Sequence, residues 1–322
     1  MEPNQKYRFR LINMGGFATF QFAIDNHTLA VIEADGTMVE PLPLQVLKIA
    51  PAQRYSFILD ANQTATNYWV RAEMNTDCFA ADNPVLNTQV SAILAYGNST
   101  AVPGTNSVDW ANAEDPLCED LNSTLLVPSV PQTAPPADLL FVAQFAFQIK
   151  AYAIDLAYIN GTSWSPSTIP TLNQIVPNLR AGNATYNVTG LAPSYGLANQ
   201  FIIDIPTNQV VDILLQNFDD GSHPFHLHGY SFWVMASSQD QYFPWDQYDT
   251  LNTTNPMRRD TVMVDSYGWT LVRIQADNPG LWAFHCHIAW HIQAGLLMQL
   301  QTRDDLMKSW TLPTDVLDLC NV

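Results

Sequence analysis

Short stretches in which apolar and polar residues alternate recur along the chain, separated by clusters of Gly, Pro and Asn. Alternation with a period of two is typical of β-strands, whose successive side chains point to opposite faces of a sheet. Helical periodicity is confined to short pieces near Ile288–Ala294 and Asp304–Trp310. The pattern therefore predicts an all-β chain of tandem Greek-key sandwiches or barrels. The first predicted strands are Tyr7–Ile12, Gln45–Ile49, Arg54–Leu59 and Tyr68–Ala72.

A proline-rich stretch divides the chain. Leu125–Asp138 holds four prolines and has no periodicity, which is typical of a linker between folded units. We therefore predict a first domain over residues 1–124, a linker over 125–138 and a second domain over 139–322. In the second domain the patterns predict two strands within Phe201–Phe218, one at Thr270–Gln275 and one at Leu281–His287.

The chain is strongly acidic. Its 322 residues include 13 Lys and Arg against 30 Asp and Glu, for a formal net charge of -17. A negative field of this size repels phosphate backbones, so the composition argues against a nucleic-acid partner. No run approaches the roughly 20 apolar residues that a membrane helix requires, and we expect no membrane span in this chain.

The histidines carry the strongest chemical signal. Histidines that serve only packing or the surface would be scattered, whereas here His27 alone lies outside two short clusters. Imidazole and thiolate are ligands that suit copper and zinc, so the clustering favours a metal site. The two segments are His223-Pro-Phe-His226-Leu-His228 and His285-Cys286-His287-Ile-Ala-Trp-His291.

Side-chain parity sorts these residues into two groups. Neighbours along an extended strand point to opposite faces, so the two His-x-His pairs separate from the cysteine and the outer histidines. The first group comprises His226, His228, His285 and His287, and the second comprises His223, Cys286 and, after the chain bends, His291.

Each group suits a different kind of metal site. Two imidazoles and one thiolate form the ligand field of a blue-copper electron-transfer centre, and four imidazoles can hold part of a multi-metal cluster. Because Cys286 lies between two histidines of the other group, covalent bonds connect the two sites and give electrons a path that avoids solvent. Zinc is the main alternative. It takes four ligands, or three and a water, so seven ligands in two opposed groups are too many for one zinc ion.

These segments resemble the copper signatures of multicopper oxidases, most strongly those of fungal laccases and the related ferroxidases. The resemblance implies cupredoxin-like barrels and copper as the cofactor, and it extends over nearly the whole chain through weaker stretches such as Pro51–Phe57. The motifs that carry it are His223-Pro-Phe-His-Leu-His-Gly, His285-Cys-His-x-x-x-His and Gly295-Leu296.

The resemblance implies a role for each candidate ligand. His226 would bind type 2 copper, and Leu296 would occupy the axial position of type 1 copper, where a leucine cannot coordinate and should raise the reduction potential. In laccases, the histidine equivalent to His291 is where substrate electrons enter. The type 1 ligands would be His223, Cys286 and His291, and the type 3 ligands would be His228, His285 and His287.

The chain departs from the family in its number of histidine pairs. Family members have three cupredoxin domains and build a trinuclear cluster from four His-x-His pairs, whereas this chain supplies two. The resemblance therefore implies a partial second domain followed by the third, with the first domain as the missing partner. On this interpretation half of the cluster ligands are absent, and we expect the fragment itself to be inactive.

The remaining cysteines and the glycosylation motifs indicate an oxidising compartment. Cys78 and Cys118 flank a loop and are expected to form a disulfide. In the family a cysteine near the carboxy terminus often pairs with one in the first domain, so Cys320 is left over. Together with the acidic composition, eight Asn-x-Ser/Thr triplets favour a secreted glycoprotein. They begin at Asn26, Asn62, Asn98, Asn122, Asn160, Asn183, Asn187 and Asn252.

We expect a secreted, fungal, laccase-like oxidase that takes single electrons from a small-molecule reductant, a phenol or aromatic amine, and reduces O2 to water. One alternative is an Fe(II) oxidase in which Asp219 guides the iron, although Asp219 also suits an ordinary turn. Phe17 stands where some laccases carry a proton-accepting acidic residue, which counts against efficient phenol oxidation. Another alternative is a copper-binding fragment without oxidase activity.

Overall fold

A computed structural model describes residues 1–64, 66–76, 79, 81, 83–105, 119–182, 199–239 and 242–318. Strands dominate these ranges, which confirms the all-β prediction. The strands before residue 100 form the first sandwich, with sheet orders β1-β6-β3-β4 and β5-β2-β7-β8. They are β1 Lys6–Ile12, β2 Phe20–Ile24, β3 Leu29–Ala34, β4 Thr37–Leu44, β5 Leu47–Ile49, β6 Arg54–Asp60, β7 Asn67–Met74 and β8 Gln89–Ala95.

The strands after residue 138 form the second sandwich. Its sheets have the orders β10-β9-β12-β17-β14-β15 and β11-β19-β18-β13-β16. Most neighbours pair antiparallel, but β12 with β9 and β11 with β19 pair parallel. The strands are β9 Leu139–Ile149, β10 Asp155–Ile159, β11 Ile202–Ile205, β12 Val210–Asn217, β13 His223–Leu227, β14 Phe232–Ser238, β15 Arg258–Arg259, β16 Thr261–Val264, β17 Trp269–Gln275, β18 Gly280–Cys286 and β19 Leu297–Thr302.

Four short α-helices are present in the described ranges: α1 Thr171–Arg180, α2 Ala289–Ala294, α3 Asp304–Met307 and α4 Thr314–Asp318. The sequence predicted α2 and α3 but not α1, which contains Pro177 and buries Ile175, Val176 and Leu179. None of these helices is long and apolar enough to cross a membrane.

Each sandwich buries its own apolar core between its two sheets. The inward positions of β3, β5 and β6 are fully buried in the first, as at Leu29, Leu47 and Phe57. In the second sandwich the core includes Phe225 and Phe284, and Cys286 is a fully buried member of it. The strand pair β13 and β18 therefore carries the candidate ligands on a rigid, closely packed scaffold.

Backbone and side-chain contacts join the two sandwiches. The segment after residue 125 contacts both of them, because Glu40 N donates to Val127 O at 2.8 Å and Ala134 N donates to Thr253 O at 2.9 Å. Arg259 Nε donates to Asp35 Oδ2 at 2.8 Å, with both side chains fully buried. A buried ion pair of this kind holds β15 in one place against the first sandwich.

Candidate metal centre

Three of the predicted ligands meet at one point in the core of the second sandwich. His223 Nδ1 lies 3.2 Å from His291 Nδ1, and Cys286 Sγ lies 3.7 Å from the first nitrogen and 3.6 Å from the second. In the described part of the chain, these three residues form a group of possible metal ligands whose ligand atoms all lie within 4.8 Å of one another. We call it the His-Cys-His triangle.

Local structure explains how the triangle forms. Phe225 on β13 pairs with Cys286 on β18, which places His223 at the start of one strand close to the end of the other. The chain then turns into α2, which carries His291 back over the cysteine. Gly295 ends this helix at φ +112°, where a Cβ would lie 2.2 Å from Ser163 Oγ, so only glycine suits this position.

The dimensions and chemistry of the triangle fit a copper ion. A point equidistant from the three atoms lies about 2.0 Å from each, which is in the range of metal–nitrogen bonds. Two imidazoles and a thiol arranged in this way form the trigonal set of a blue-copper site. Burial lowers the pKa of His291 to about 3, so its ring stays neutral and its lone pair stays available. Burial raises the pKa of the Cys286 thiol, so binding of a metal there would release its proton.

The four remaining imidazoles gather on the other face of the same strands, as parity predicts. Ring centroids of His226 lie 5.0 Å from those of His228, 5.9 Å from His285 and 5.8 Å from His287. His228 Nε2 and His285 Nε2 are 3.1 Å apart. Burial lowers the pKa of His285 to about 4 and also lowers the pKa values of His228 and His287, which favours the neutral form of these rings. We call them the four-imidazole group.

The four-imidazole group borders an open depression. A cavity of about 480 Å³ there is lined by His226 and His228 together with Asp260 and Trp282. The His226 side chain keeps 21% of its exposure. Gly229 follows His228 at φ +73°, and a Cβ there would lie 2.3 Å from the Trp282 ring, so glycine is needed beside the first His-x-His pair. In contrast to the triangle, this group is accessible from outside the chain.

The two groups are adjacent along the chain. Cys286 belongs to the triangle, while its neighbours His285 and His287 belong to the four-imidazole group. A few covalent bonds therefore separate a ligand of one group from ligands of the other.

Leu296 is fully buried, and its carbonyl oxygen accepts a hydrogen bond from Cys286 N at 3.1 Å. Phe147 packs against both imidazoles of the triangle, with ring centroids 5.7 Å from His223 and 4.8 Å from His291. No sequence motif indicated a role for Phe147. These contacts leave an apolar, closely packed shell around the ligands.

Asp219 contacts a ligand directly. His223 Nε2 donates to Asp219 Oδ2 at 3.0 Å, which leaves His223 Nδ1 as the unprotonated nitrogen that faces Cys286. Burial alone would raise the pKa of Asp219, yet the hydrogen bond from His223 and the nearby imidazoles lower it. The carboxylate therefore remains ionised beside the site.

Aromatic side chains from both sandwiches meet next to His291. The Phe17 ring lies 4.6 Å from Phe79 and 4.8 Å from Trp290, whose side chain is 54% exposed. Gly16 O accepts a hydrogen bond from Ala289 N at 2.9 Å, which holds this loop against α2. The disulfide predicted between Cys78 and Cys118, and Cys320, which we expect to be left over, lie outside the described residues.

Family comparisons identify this arrangement. A model of the multicopper oxidase family matches residues 1–99, and a second model with the same description matches residues 164–305. The chain belongs to the multicopper oxidase family. Family membership implies copper as the metal.

Named relatives of this chain include laccases and an iron transport multicopper oxidase. Laccase-2 of Fomitopsis schrenkii is 35% identical over all of this chain, which covers 58% of that protein. The iron transport multicopper oxidase fio1 of Schizosaccharomyces pombe is 32% identical over 99% of this chain, which covers 50% of that protein. The chain thus spans little more than half the length of the curated relatives it matches.

Two solved structures share the fold over the entire chain. Fet3p, described as a multicopper oxidase that functions in iron import, superimposes with a TM-score of 0.86 at 26% identity, and the match covers 60% of it. The laccase from Botrytis aclada gives a TM-score of 0.81 at 28% identity and is covered to 55%. These similarities confirm the predicted cupredoxin-like fold.

Proposed function

We propose that this multicopper oxidase binds type 1 copper in the His-Cys-His triangle and oxidises phenolic or other aromatic reductants one electron at a time. The observation that carries the proposal is the triangle itself, with edges of 3.2, 3.6 and 3.7 Å around a buried cysteine. Copper would supply the reversible one-electron chemistry, and four such oxidations together with four protons balance the reduction of one O2 to two waters.

The protein's own residues would prepare the electron path. His291 is less deeply buried than His223 and lies next to the exposed Trp290, so its ring edge offers the reductant a contact. Phe147 and the core around Cys286 exclude water from the triangle, which limits side reactions. Cys286 leads through its own backbone to His285 and His287, the proposed type 3 ligands together with His228; His226 is the proposed type 2 ligand.

The four-imidazole group would be the oxygen-reducing side of the proposed path. Because its imidazoles line an open depression, we propose that further ligands from outside this chain, those of the family's first domain, complete it. The chain alone is then a copper-binding unit without oxygen turnover.

In support of a secreted glycoprotein, the asparagines of all six sequons within the described ranges are exposed: Asn26, Asn62, Asn98, Asn122, Asn160 and Asn252.

Copper loading of the purified chain tests the proposal. We expect an intense absorption band in the red and one type 1 copper signal by electron paramagnetic resonance, with oxidation of a dimethoxyphenol limited to about one electron per chain. Steady oxygen uptake by the chain alone would contradict the need for outside ligands. Copper binding without the red band would contradict the assignment of the triangle.

Oxidation of Fe(II) is the second candidate, and one contact favours it. Asp219 places an ionised carboxylate 3.0 Å from His223 Nε2, where a metal cation could meet a ligand of the triangle. Carboxylate oxygens suit hard cations, whereas Phe17 next to Trp290 offers an aromatic surface instead. The two candidates are separated by the rate at which the red absorption band is lost in a single turnover, measured with Fe(II) and with a dimethoxyphenol at equal concentration.

A further inference from the structure

A set of oxygens fixes the imidazole of His226, the proposed type 2 ligand. His226 Nδ1 lies 2.9 Å from Thr261 Oγ1, 3.1 Å from Asp260 O and 3.4 Å from Asp260 Oδ1. A backbone carbonyl and a carboxylate only accept, so Nδ1 carries the proton and Nε2 keeps its lone pair. The ring thereby presents an unprotonated nitrogen to the four-imidazole group.

The orientation of the Thr261 hydroxyl depends on Asp260. Thr261 Oγ1 donates to Asp260 Oδ1 at 2.9 Å, and this leaves the lone pairs of Oγ1 free to accept from His226. Without that acceptor, the hydroxyl could turn round and donate to Nδ1, which would favour the tautomer protonated on Nε2. That tautomer cannot bind a metal through Nε2.

Arg54 holds Asp260 in place from the first sandwich. Its two terminal nitrogens donate to the two carboxylate oxygens at 2.5 and 2.7 Å, across 206 positions of sequence. Arg54 Nη1 also donates to Ala52 O at 3.0 Å, so the guanidinium is itself fixed. A bidentate pair of this kind specifies direction as well as charge.

We propose that Arg54 is a positioning residue for His226, which sets the tautomer of this imidazole through Asp260 and Thr261. The register of the first sandwich against the second is thereby coupled to a ligand of the four-imidazole group. The effect on metal affinity rests on the proposed function, whereas the effect on the tautomer does not.

Nitrogen NMR of the histidine side chains in the metal-free chain tests the tautomer. We expect the wild type to hold His226 with the proton on Nδ1, and Arg54→Gln to raise the Nε2-protonated population to a substantial fraction. Arg54→Lys retains the charge but lacks the guanidinium that donates to both carboxylate oxygens. Its fraction of Nε2-protonated His226 should therefore lie between the fractions in the wild type and in Arg54→Gln. Arg8→Gln is the matched control, because Arg8 lies on the same sheet but pairs with Glu33 instead of Asp260.

Titration of Cu(II) into the same variants gives the second readout. Loss of a contact that orients a ligand typically costs 10- to 100-fold in metal affinity, so we expect a loss of about tenfold at the four-imidazole group in Arg54→Gln and none in Arg8→Gln. Thr261→Val removes the hydroxyl that could donate to Nδ1 and leaves Asp260 O as an acceptor, so it should keep the proton on Nδ1, also when it is combined with Arg54→Gln. Thermal unfolding checks that each variant is folded.

The outcomes separate this inference from the proposed function. An unchanged tautomer in Arg54→Gln would overturn the positioning role, even if copper binds normally. If the tautomer shifts as expected but the wild type takes up no copper at the four-imidazole group, the positioning role stands and the proposed metal role fails.

Discussion

Asp219 Oδ2 lies 3.0 Å from Nε2 of His223, the ring nitrogen opposite to the Nδ1 atom that faces Cys286. This single contact joins the surface of the chain to a ligand of the triangle. The Asp219 side chain keeps 21% of its exposure, while His223 is fully buried. A cation held by this carboxylate would therefore be one side chain away from the proposed type 1 copper.

Replacement of Asp219 tests this route. Asp219→Asn retains an oxygen that can accept from His223 but removes the charge, and a charged hydrogen bond contributes roughly 1.5–3 kcal/mol. We expect the second-order rate constant for reduction of the proposed type 1 copper by Fe(II), followed through the loss of the red absorption band, to fall about tenfold. Reduction by a dimethoxyphenol should change far less, because the aromatic side chains beside His291 are untouched. Equal losses for both reductants would argue against a route for iron.

Replacement of Cys286 tests its proposed role as the thiolate ligand of type 1 copper. Cys286→Ser has nearly the same size in a fully buried position, so we expect the apoprotein to fold. The variant should lose the red absorption band and bind about one copper fewer per chain, because a hydroxyl is a poor ligand for a soft site. Optical spectra and metal analysis after identical loading measure both effects. An undiminished red band would remove the triangle as the source of the colour.

Much of the fold was predictable because alternation of apolar and polar residues is a local property. The strand predicted at Arg54–Leu59 is observed at Arg54–Asp60, and the two strands predicted around Pro206 are β11 and β12. Helix α1 was not predicted because a proline such as Pro177 in the interior of a segment indicates that a helix is interrupted there. Packing of Ile175 and Leu179 with Ile202 stabilises this helix, and a local pattern does not encode that packing.

The sequence predicted the candidate ligands better than their surroundings. Parity along β13 and β18 separates the two groups because neighbouring side chains on a strand face opposite ways. Parity says nothing about contacts between distant segments. Arg54 reaches Asp260 across 206 positions, and Phe147 reaches His291 from another strand, so neither contact was predicted.

Leu296 allows a test of how the triangle is tuned. Leu296→Met would bring a thioether to the proposed axial position of type 1 copper, where a sulfur would stabilise the oxidised metal. We expect the reduction potential of the proposed type 1 copper to fall by on the order of 60 mV, which corresponds to a tenfold change in a one-electron equilibrium. Leu300→Met is the matched control, since Leu300 is fully buried in the same core farther along β19. A redox titration in which both variants behave alike would contradict an axial role for Leu296.

A pair of buried aspartates lies at the edge of the second sandwich, away from the proposed metal site. Asp204 on β11 and Asp304 at the start of α3 are 6% and 4% exposed and hydrogen-bond to each other. Gln301 Nε2 donates to Asp304 Oδ2 at 2.7 Å. Burial, together with the neighbouring Asp304, raises the pKa of Asp204 to about 8, so one proton is shared between two carboxyl groups at neutral pH.

This pair should make the chain more stable in acid. The pKa of Asp204 is higher in the folded chain than in the unfolded chain, where an aspartate has a pKa of about 4. The stability contributed by its proton is therefore complete below about pH 4 and is lost as the pH rises through 8. Asp204→Asn mimics the protonated form at every pH. Relative to the wild type, its melting temperature should gain at least about 2 °C more at pH 8 than at pH 4. Asp305→Asn, which alters an exposed carboxylate on the same helix, should show no such difference, and a pH-independent effect of Asp204→Asn would contradict the shared proton.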